Sequence, residues 1–196
     1  LFSGPALCQS QKITSAPAFS AEDLLAQPTD GWITNGGSLF NQRFSPLDQI
    51  TPGNVGNLKG VWRVHLESGL EVKYSGEAQP LIHEGVIYIV TGADDVSAVS
   101  VKTGEILWQY WANLDQSIDA VCCGWTSRGL GLGDGKIYVG QLNGKLVALD
   151  QTTGEPDWEA QVGRWQDGYT ITSAPLYYDG LVITGTAGGD RGARGR

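Results

Sequence analysis

The chain has 196 residues, with 13 Lys and Arg against 21 Asp and Glu, a net charge of −8, and 28 glycines with no methionine. That acidity excludes the basic footprint a nucleic-acid binder needs. No apolar run reaches the roughly 18 residues of a transmembrane helix, and the length is enough for one domain with a real core.

In chain order, residues 1–30 mix Ala, Ser, Gln and Pro and read as an irregular lead-in. Leu1–Leu7 (LFSGPAL) looks like the end of a secretory signal segment. Leu7 ahead of Cys8 does not suit a lipoprotein cleavage site, where a small residue is needed. Glu22–Ala26 is expected to form one helical turn, and regular structure to begin near Trp32. From there the chain repeats. EGVIYIV (Glu84–Val90), DGKIYVG (Asp134–Gly140) and DGLVITG (Asp179–Gly185) each pair an acidic-Gly turn with β-branched and aromatic residues, and their glycines are 50 and 45 apart. AVSVKTGEILW (Ala98–Trp108) and ALDQTTGEPDW (Ala148–Trp158) repeat at 50, with a looser counterpart at Trp62. Short strands with Gly-rich turns at this period predict an all-β propeller, in which stacked sheets cover one another's faces. Trp108 and Trp158 are expected to wedge between adjacent sheets. A solenoid or a sandwich is the alternative. The closing RGARGR (Arg191–Arg196) makes a poor domain end, so the chain is expected to be a fragment.

Cys122 and Cys123 are adjacent. Residue chemistry leaves two readings open, buried free thiols or a bridge between neighbours. The bridge is awkward, because consecutive Cα atoms sit ~3.8 Å apart, below the usual disulfide span. Taken alone, Glu77 reads as a solvated loop carboxylate and Arg128 as a surface charge. Thr172 reads as a strand threonine and Asp190 as the cap of a Gly-rich turn. His65 and His83 sit in no zinc motif, and no Walker or Rossmann fingerprint occurs.

The AxDxxTGxxxW phrase resembles the docking motif of the eight-bladed quinoprotein alcohol dehydrogenases. Ala148–Trp158 fits it fully, whereas Ser100 replaces its Asp in the earlier copy. The resemblance runs from about Gly31 to Arg196, and Asn35–Asn57 (NGGSLFNQRFSPLDQITPGNVGN) also looks like the start of these enzymes. It implies about three of eight blades in residues 31–196, the N-terminal part of the propeller domain, with an N-terminal strand that joins the last blade. It further implies that Cys122 and Cys123 form a vicinal disulfide against one face of pyrroloquinoline quinone (PQQ). Arg128 would pair with the quinone oxygens, Glu77 in SGEAQP would serve the cofactor, and the Thr172 hydroxyl in YTITSAP would bond a cofactor carboxylate. In GTAGGDRGARGR, Gly188 and Gly189 stand at the Gly-Ala places beside the cofactor. Ala187 lacks the family's serine hydroxyl. Asp190 stands for the metal-binding Glu, one methylene shorter, and suits Ca²⁺ or another hard cation such as a lanthanide.

The resemblance implies oxidation of an alcohol to an aldehyde or ketone, with electrons passing to a cytochrome c. An acidic chain would suit a basic redox partner. A stable disulfide implies an oxidising compartment, the periplasm. The catalytic base and the other metal ligands are expected beyond residue 196, so no catalytic residue is assigned here and the chain alone is expected to be inactive. The rival is a non-catalytic propeller scaffold resembling outer-membrane assembly lipoproteins, which lack the adjacent cysteines. A sugar dehydrogenase quinoprotein, which generally lacks them too, is a second.

Overall fold

The computed structural model describes residues 11–195; the expected signal remnant Leu1–Leu7 and the odd Cys8 lie outside the described residues. The acidic-Gly pairs are the turns of the framework. Glu84–Gly85, Asp134–Gly135 and Asp179–Gly180 have positive φ at both positions, 47° and 74°, 51° and 69°, 49° and 77°. That is the type I′ turn, whose twist matches a two-residue hairpin. In chain order the strands are β1 (Tyr74–Ser75), β2 (Leu81–His83), β3 (Val86–Val90), β4 (Val96–Ser100), β5 (Ile106–Tyr110), β6 (Trp125–Thr126) and β7 (Gly131–Gly133). They continue with β8 (Lys136–Gly140), β9 (Lys145–Asp150), β10 (Pro156–Gln161), β11 (Leu176–Tyr178) and β12 (Leu181–Ile183). β2 to β5 form one antiparallel four-stranded sheet and β7 to β10 a second; β11 and β12 are the first hairpin of a third. The about three blades expected are therefore two complete blades and a started one. β1 and β6 pair in parallel at the inner edge, Tyr74 with Trp125 and Ser75 with Thr126.

Tryptophans bolt blade to blade. In β4–β5 and in β9–β10 the register shifts at the same place, leaving Trp108 opposite Ala98 and Trp158 opposite Ala148. Trp108 lies on the next blade's Thr153–Gly154 turn: a Cβ at Gly154 would meet its ring at 2.5 Å, and its indole Nε1 donates to the Gln151 carbonyl at 3.0 Å. Trp62 docks on Gly104 in the same way and donates to the Val101 carbonyl at 2.8 Å. Glycine is required under both rings because a side chain would displace the indole, and φ there is positive, 73° and 76°. Trp108 is 8% exposed, as a wedge should be. Trp158 is 37% exposed, against expectation. Its socket would be the Thr-Gly turn of the third blade, and the repeat places that turn past residue 196.

The lead-in is more than an irregular approach. Ser20 caps helix α1 (Ala21–Leu25) through a reciprocal box with Asp23, Oγ accepting from the Asp23 amide at 3.2 Å and the Ser20 amide donating to Oδ2 at 2.9 Å. Packing begins well before Trp32. Ile13, Ala16, Phe19 and Leu24 join the core of Leu81, Tyr88, Leu130, Ile137 and Leu149. The segment straps both blades: the amides of Asp134 and Gly135 donate to the Pro17 and Ala16 carbonyls at 2.9 and 2.8 Å. The Gln151 side chain accepts from the Ala16 amide at 2.6 Å and donates to the Tyr88 hydroxyl at 2.9 Å. Fully buried Gln151 thus has its polar atoms satisfied by strap and blade 1 together, as a buried amide must.

Candidate cofactor-binding site

The parallel rungs at the inner edge bring distant residues together. β1 lies beside β6, Gln79 pairs with Gly129, and the Arg128 amide donates to the Thr172 carbonyl at 3.0 Å. Each rung opens a successive blade, so Glu77, Arg128 and Thr172 meet although 51 and 44 residues separate them. The Arg128 guanidinium sits between the other two, with Nη2 3.3 Å from Glu77 Oε2 and Nη1 donating to Thr172 Oγ1 at 2.9 Å. Arg128 and Glu77 side chains are 51% and 47% exposed. The pair is therefore weak as a stabiliser and open to a ligand. Thr172 is mostly buried. Its oxygen accepts from Arg128, which leaves its own O–H to donate.

Cys122 and Cys123 are joined in a disulfide whose Cα atoms are 3.8 Å apart, and both residues are exposed. Cys123 has a φ of 68°. The loop is fixed two residues later, where the Trp125 amide donates to the Lys73 carbonyl at 2.6 Å and the Lys73 ammonium lies 4.2 Å from the Trp125 ring centroid. Gly188 to Asp190 attach to the third rung. Ala187 and Thr170 exchange backbone hydrogen bonds of 2.8 and 3.4 Å, two residues before Thr172. Gly188 has a φ of 122°, and any Cβ there would overlap the Gly168 carbonyl oxygen. Asp190 follows in a short 3₁₀ turn, Gly189–Arg191, and is exposed. Among the described residues no group of three or more His, Cys, Asp or Glu gathers to hold a metal. Asp190 is thus a single candidate ligand.

Of the residues singled out in the sequence, Glu77, Arg128 and Thr172 are brought into contact. The cysteine pair lies in the loop just before β6, and Gly188–Asp190 follow Ala187, the bridge partner of Thr170. A cavity of about 530 Å³ is lined by Glu77 and Arg128 together with Asn35, Arg43, Gln79 and Pro80. Sequence reasoning missed Arg43 and Gln79, although Arg43 stands inside the quoted Asn35–Asn57 stretch. The groups suit a polycarboxylate quinone: a guanidinium fork and a hydroxyl proton to donate, with an exposed disulfide in the loop that leads into β6. The buried hydroxyls of Thr126, Ser127 and Thr170 on the same rungs also have no partner.

Comparison with known proteins fits this geometry. The family model "Glucose/ethanol/alcohol dehydrogenase, beta-propeller domain", of the PQQ type, matches residues 32–195. Quinoprotein alcohol dehydrogenase PedH of Pseudomonas putida is 39% identical over 181 residues, covering 91% of this chain and 30% of that protein. The crystal structure of the quinohemoprotein alcohol dehydrogenase from Comamonas testosteroni superposes with a TM-score of 0.80 at 35% identity, covering 89% of this chain and 26% of that one. A europium-containing methanol dehydrogenase superposes at 0.77 with 31% identity, covering 85% and 29%. The chain spans about a quarter to a third of the length of these proteins. With its blades, its inner-edge site and the family match over residues 32–195, the chain belongs to the PQQ-type glucose/ethanol/alcohol dehydrogenase family and forms part of its β-propeller domain.

Proposed function

We propose that this chain is the N-terminal part of a PQQ- and metal-dependent alcohol dehydrogenase that works in the periplasm and passes electrons to a cytochrome c. The observation that carries the reading is Arg128 held between Glu77 and Thr172 at the inner edge, in the segment that follows the Cys122–Cys123 disulfide. When bound, the quinone supplies the hydride-accepting carbonyl and a hard cation such as Ca²⁺ or a lanthanide supplies Lewis acidity. Arg128 would present its planar fork to quinone oxygens, with Glu77 fixing its orientation. Thr172 would donate its hydroxyl proton to a carboxylate. The disulfide offers a rigid apolar face on which an aromatic ring can lie. Gly188, with Gly189 behind it, lets backbone approach closely where a side chain would intrude. Asp190 would supply one carboxylate to the cation, and Ala187 supplies no hydroxyl. The disulfide also supports the oxidising compartment.

The test uses the full-length protein. Asp190→Ala should weaken Ca²⁺ binding and alcohol-dependent dye reduction together, by about tenfold or more, because a charged oxygen ligand is lost. Asp190→Glu should retain both. Unchanged Ca²⁺ dependence in the alanine variant would leave Asp190 an ordinary exposed carboxylate of the Gly-rich turn. Absence of PQQ-dependent dye reduction with either Ca²⁺ or a lanthanide would overturn the whole reading.

A further inference from the structure

Arg43 lines the cavity that Arg128 and Glu77 also line, and so brings a second cationic residue to it. The loop that carries it is tied to the same rung by a run of backbone and side-chain bonds. The Arg43 amide donates to the Gly36 carbonyl at 2.9 Å, the Gly36 amide to Gln79 Oε1 at 2.7 Å, and the Gln79 amide to the Arg128 carbonyl at 3.5 Å. Arg43 also holds a φ of 52°. A non-glycine residue keeps that conformation only where its surroundings impose it.

The charges around the cavity do not balance. Glu77 and Arg128 form an ion pair at 3.3 Å and offset each other. Among the described residues Arg43 has no ion-pair partner, so the lining carries one positive charge in excess. A guanidinium fork in excess selects a planar anion, and a carboxylate matches its geometry in both charge and spacing.

We propose that Arg43 recognises a carboxylate of the quinone cofactor, as a second cationic contact beside Arg128. This inference rests on the cofactor reading given above, and the experiment separates the two. PQQ is titrated into full-length apoprotein in the presence of Ca²⁺, following quenching of tryptophan fluorescence, for the wild type and for Arg43→Ala, Arg43→Gln, Arg43→Lys and Arg128→Ala. Arg43→Ala should weaken binding by about tenfold, the scale of one charge-assisted hydrogen bond. Its affinity should also depend less on salt. Arg43→Lys should recover most of the affinity. If Arg43→Ala fails to fold by circular dichroism, the Gln and Lys variants decide: tight binding by Lys and weak binding by Gln supports the assignment, and equal affinities overturn it. Arg43→Ala binding within about twofold of wild type while Arg128→Ala is weakened overturns the role of Arg43 and leaves the cofactor site standing. Wild-type binding by both variants overturns both.

Discussion

Blade 1 and blade 2 carry the same eleven-residue phrase, but only the first is covered. Trp108 of blade 1 is clamped over Gly154 and hydrogen-bonded to the Gln151 carbonyl, whereas Trp158 of blade 2 faces solvent and every residue of β10 is exposed. Inside each blade the two look alike, since Tyr88 and Tyr138 approach their tryptophans at the same 6.0 Å between ring centroids. The turns differ in the other direction. Asp150 Oδ1 accepts from the amides of Thr152 and Thr153 at 2.9 Å each and from both their hydroxyls. Ser100, its counterpart, accepts one amide bond from Thr103 at 3.3 Å and spends its hydroxyl proton on Gln11. The local phrase therefore sets the hairpin and its turn, and the blade that follows sets how much the tryptophan stabilises. Stability in such an array belongs to neighbouring pairs rather than to single repeats.

The tryptophans carry the largest expected difference between the two blades. In this chain Trp108→Ala should cost about 3–5 kcal/mol, the usual scale for emptying a buried aromatic site. Trp158→Ala should cost less than about 1 kcal/mol. Urea unfolding of the two variants measures both, and in a longer chain that includes the next Thr-Gly turn the two costs should converge. Equal costs in the present chain would show that each blade stands by itself.

The turns sharpen the comparison. Asp150→Ala should cost about 1–2 kcal/mol and Ser100→Ala less, because the carboxylate satisfies more donors. Hydrogen bonds from Thr152 above all, then Thr153, hold the Asp150 carboxyl below its ordinary value of 3.8. The unfolded chain therefore binds the proton more readily, so the contribution is fully present above the ordinary value and fades as pH falls through the depressed one. The difference in stability between wild type and Asp150→Ala should stay constant above about pH 5 and shrink below about pH 4.

Asp94 gives the smallest effect and the opposite sign. It sits fully buried in the β3–β4 turn of blade 1, with a φ of 62°. Oδ2 accepts from the Leu142 amide of blade 2 at 2.7 Å, and Oδ1 has no partner. Burial pushes its carboxyl well above the usual carboxylate range; the Leu142 amide pulls it down and neighbouring Asp95 pushes it further up. Its favourable contribution is complete below the ordinary value and is lost as pH rises through the raised one. Asp94→Asn keeps an acceptor for Leu142 and removes the buried charge. It should be neutral, or stabilising by up to about 1 kcal/mol, near pH 8. Melting curves across pH should show a flatter slope for Asp94→Asn than for wild type; identical slopes would place the titration elsewhere.

The blades were legible because their signals are local. Acidic-Gly pairs flanked by β-branched residues spell a type I′ hairpin, and a tryptophan at fixed distance from Thr-Gly repeats with the period of the blade. The strap was not legible in those terms. Ile13, Ala16 and Phe19 recur with a strict period of three, which matches neither the 3.6 of an α-helix nor the 2 of a strand. The three residues in contact at the site were legible only through family likeness. By residue chemistry Glu77, Arg128 and Thr172 each have an ordinary explanation, and it takes the parallel rungs of three blades to make them neighbours. Arg43 stayed hidden because its loop has no counterpart in the repeat against which to measure it.

The tryptophan bolt also has a direction. Each blade offers a peg on one side and a socket on the other. The socket at Gly104 is already filled by Trp62 and the socket at Gly154 by Trp108. Of these three pegs, only Trp158 is unmated. An interface that joins unlike ends can keep adding units until it closes into a ring, and among the described residues the open peg stands on blade 2. The peg also precedes its socket in the chain, by 42 residues for Trp62 and 46 for Trp108. A polypeptide that emerges N-terminus first therefore shows each indole to water well before the glycine that will cover it exists outside the channel. Every blade passes through a sticky interval of its own, and a chaperone that grips exposed aromatic residues would meet the growing propeller at one moving point, the newest tryptophan.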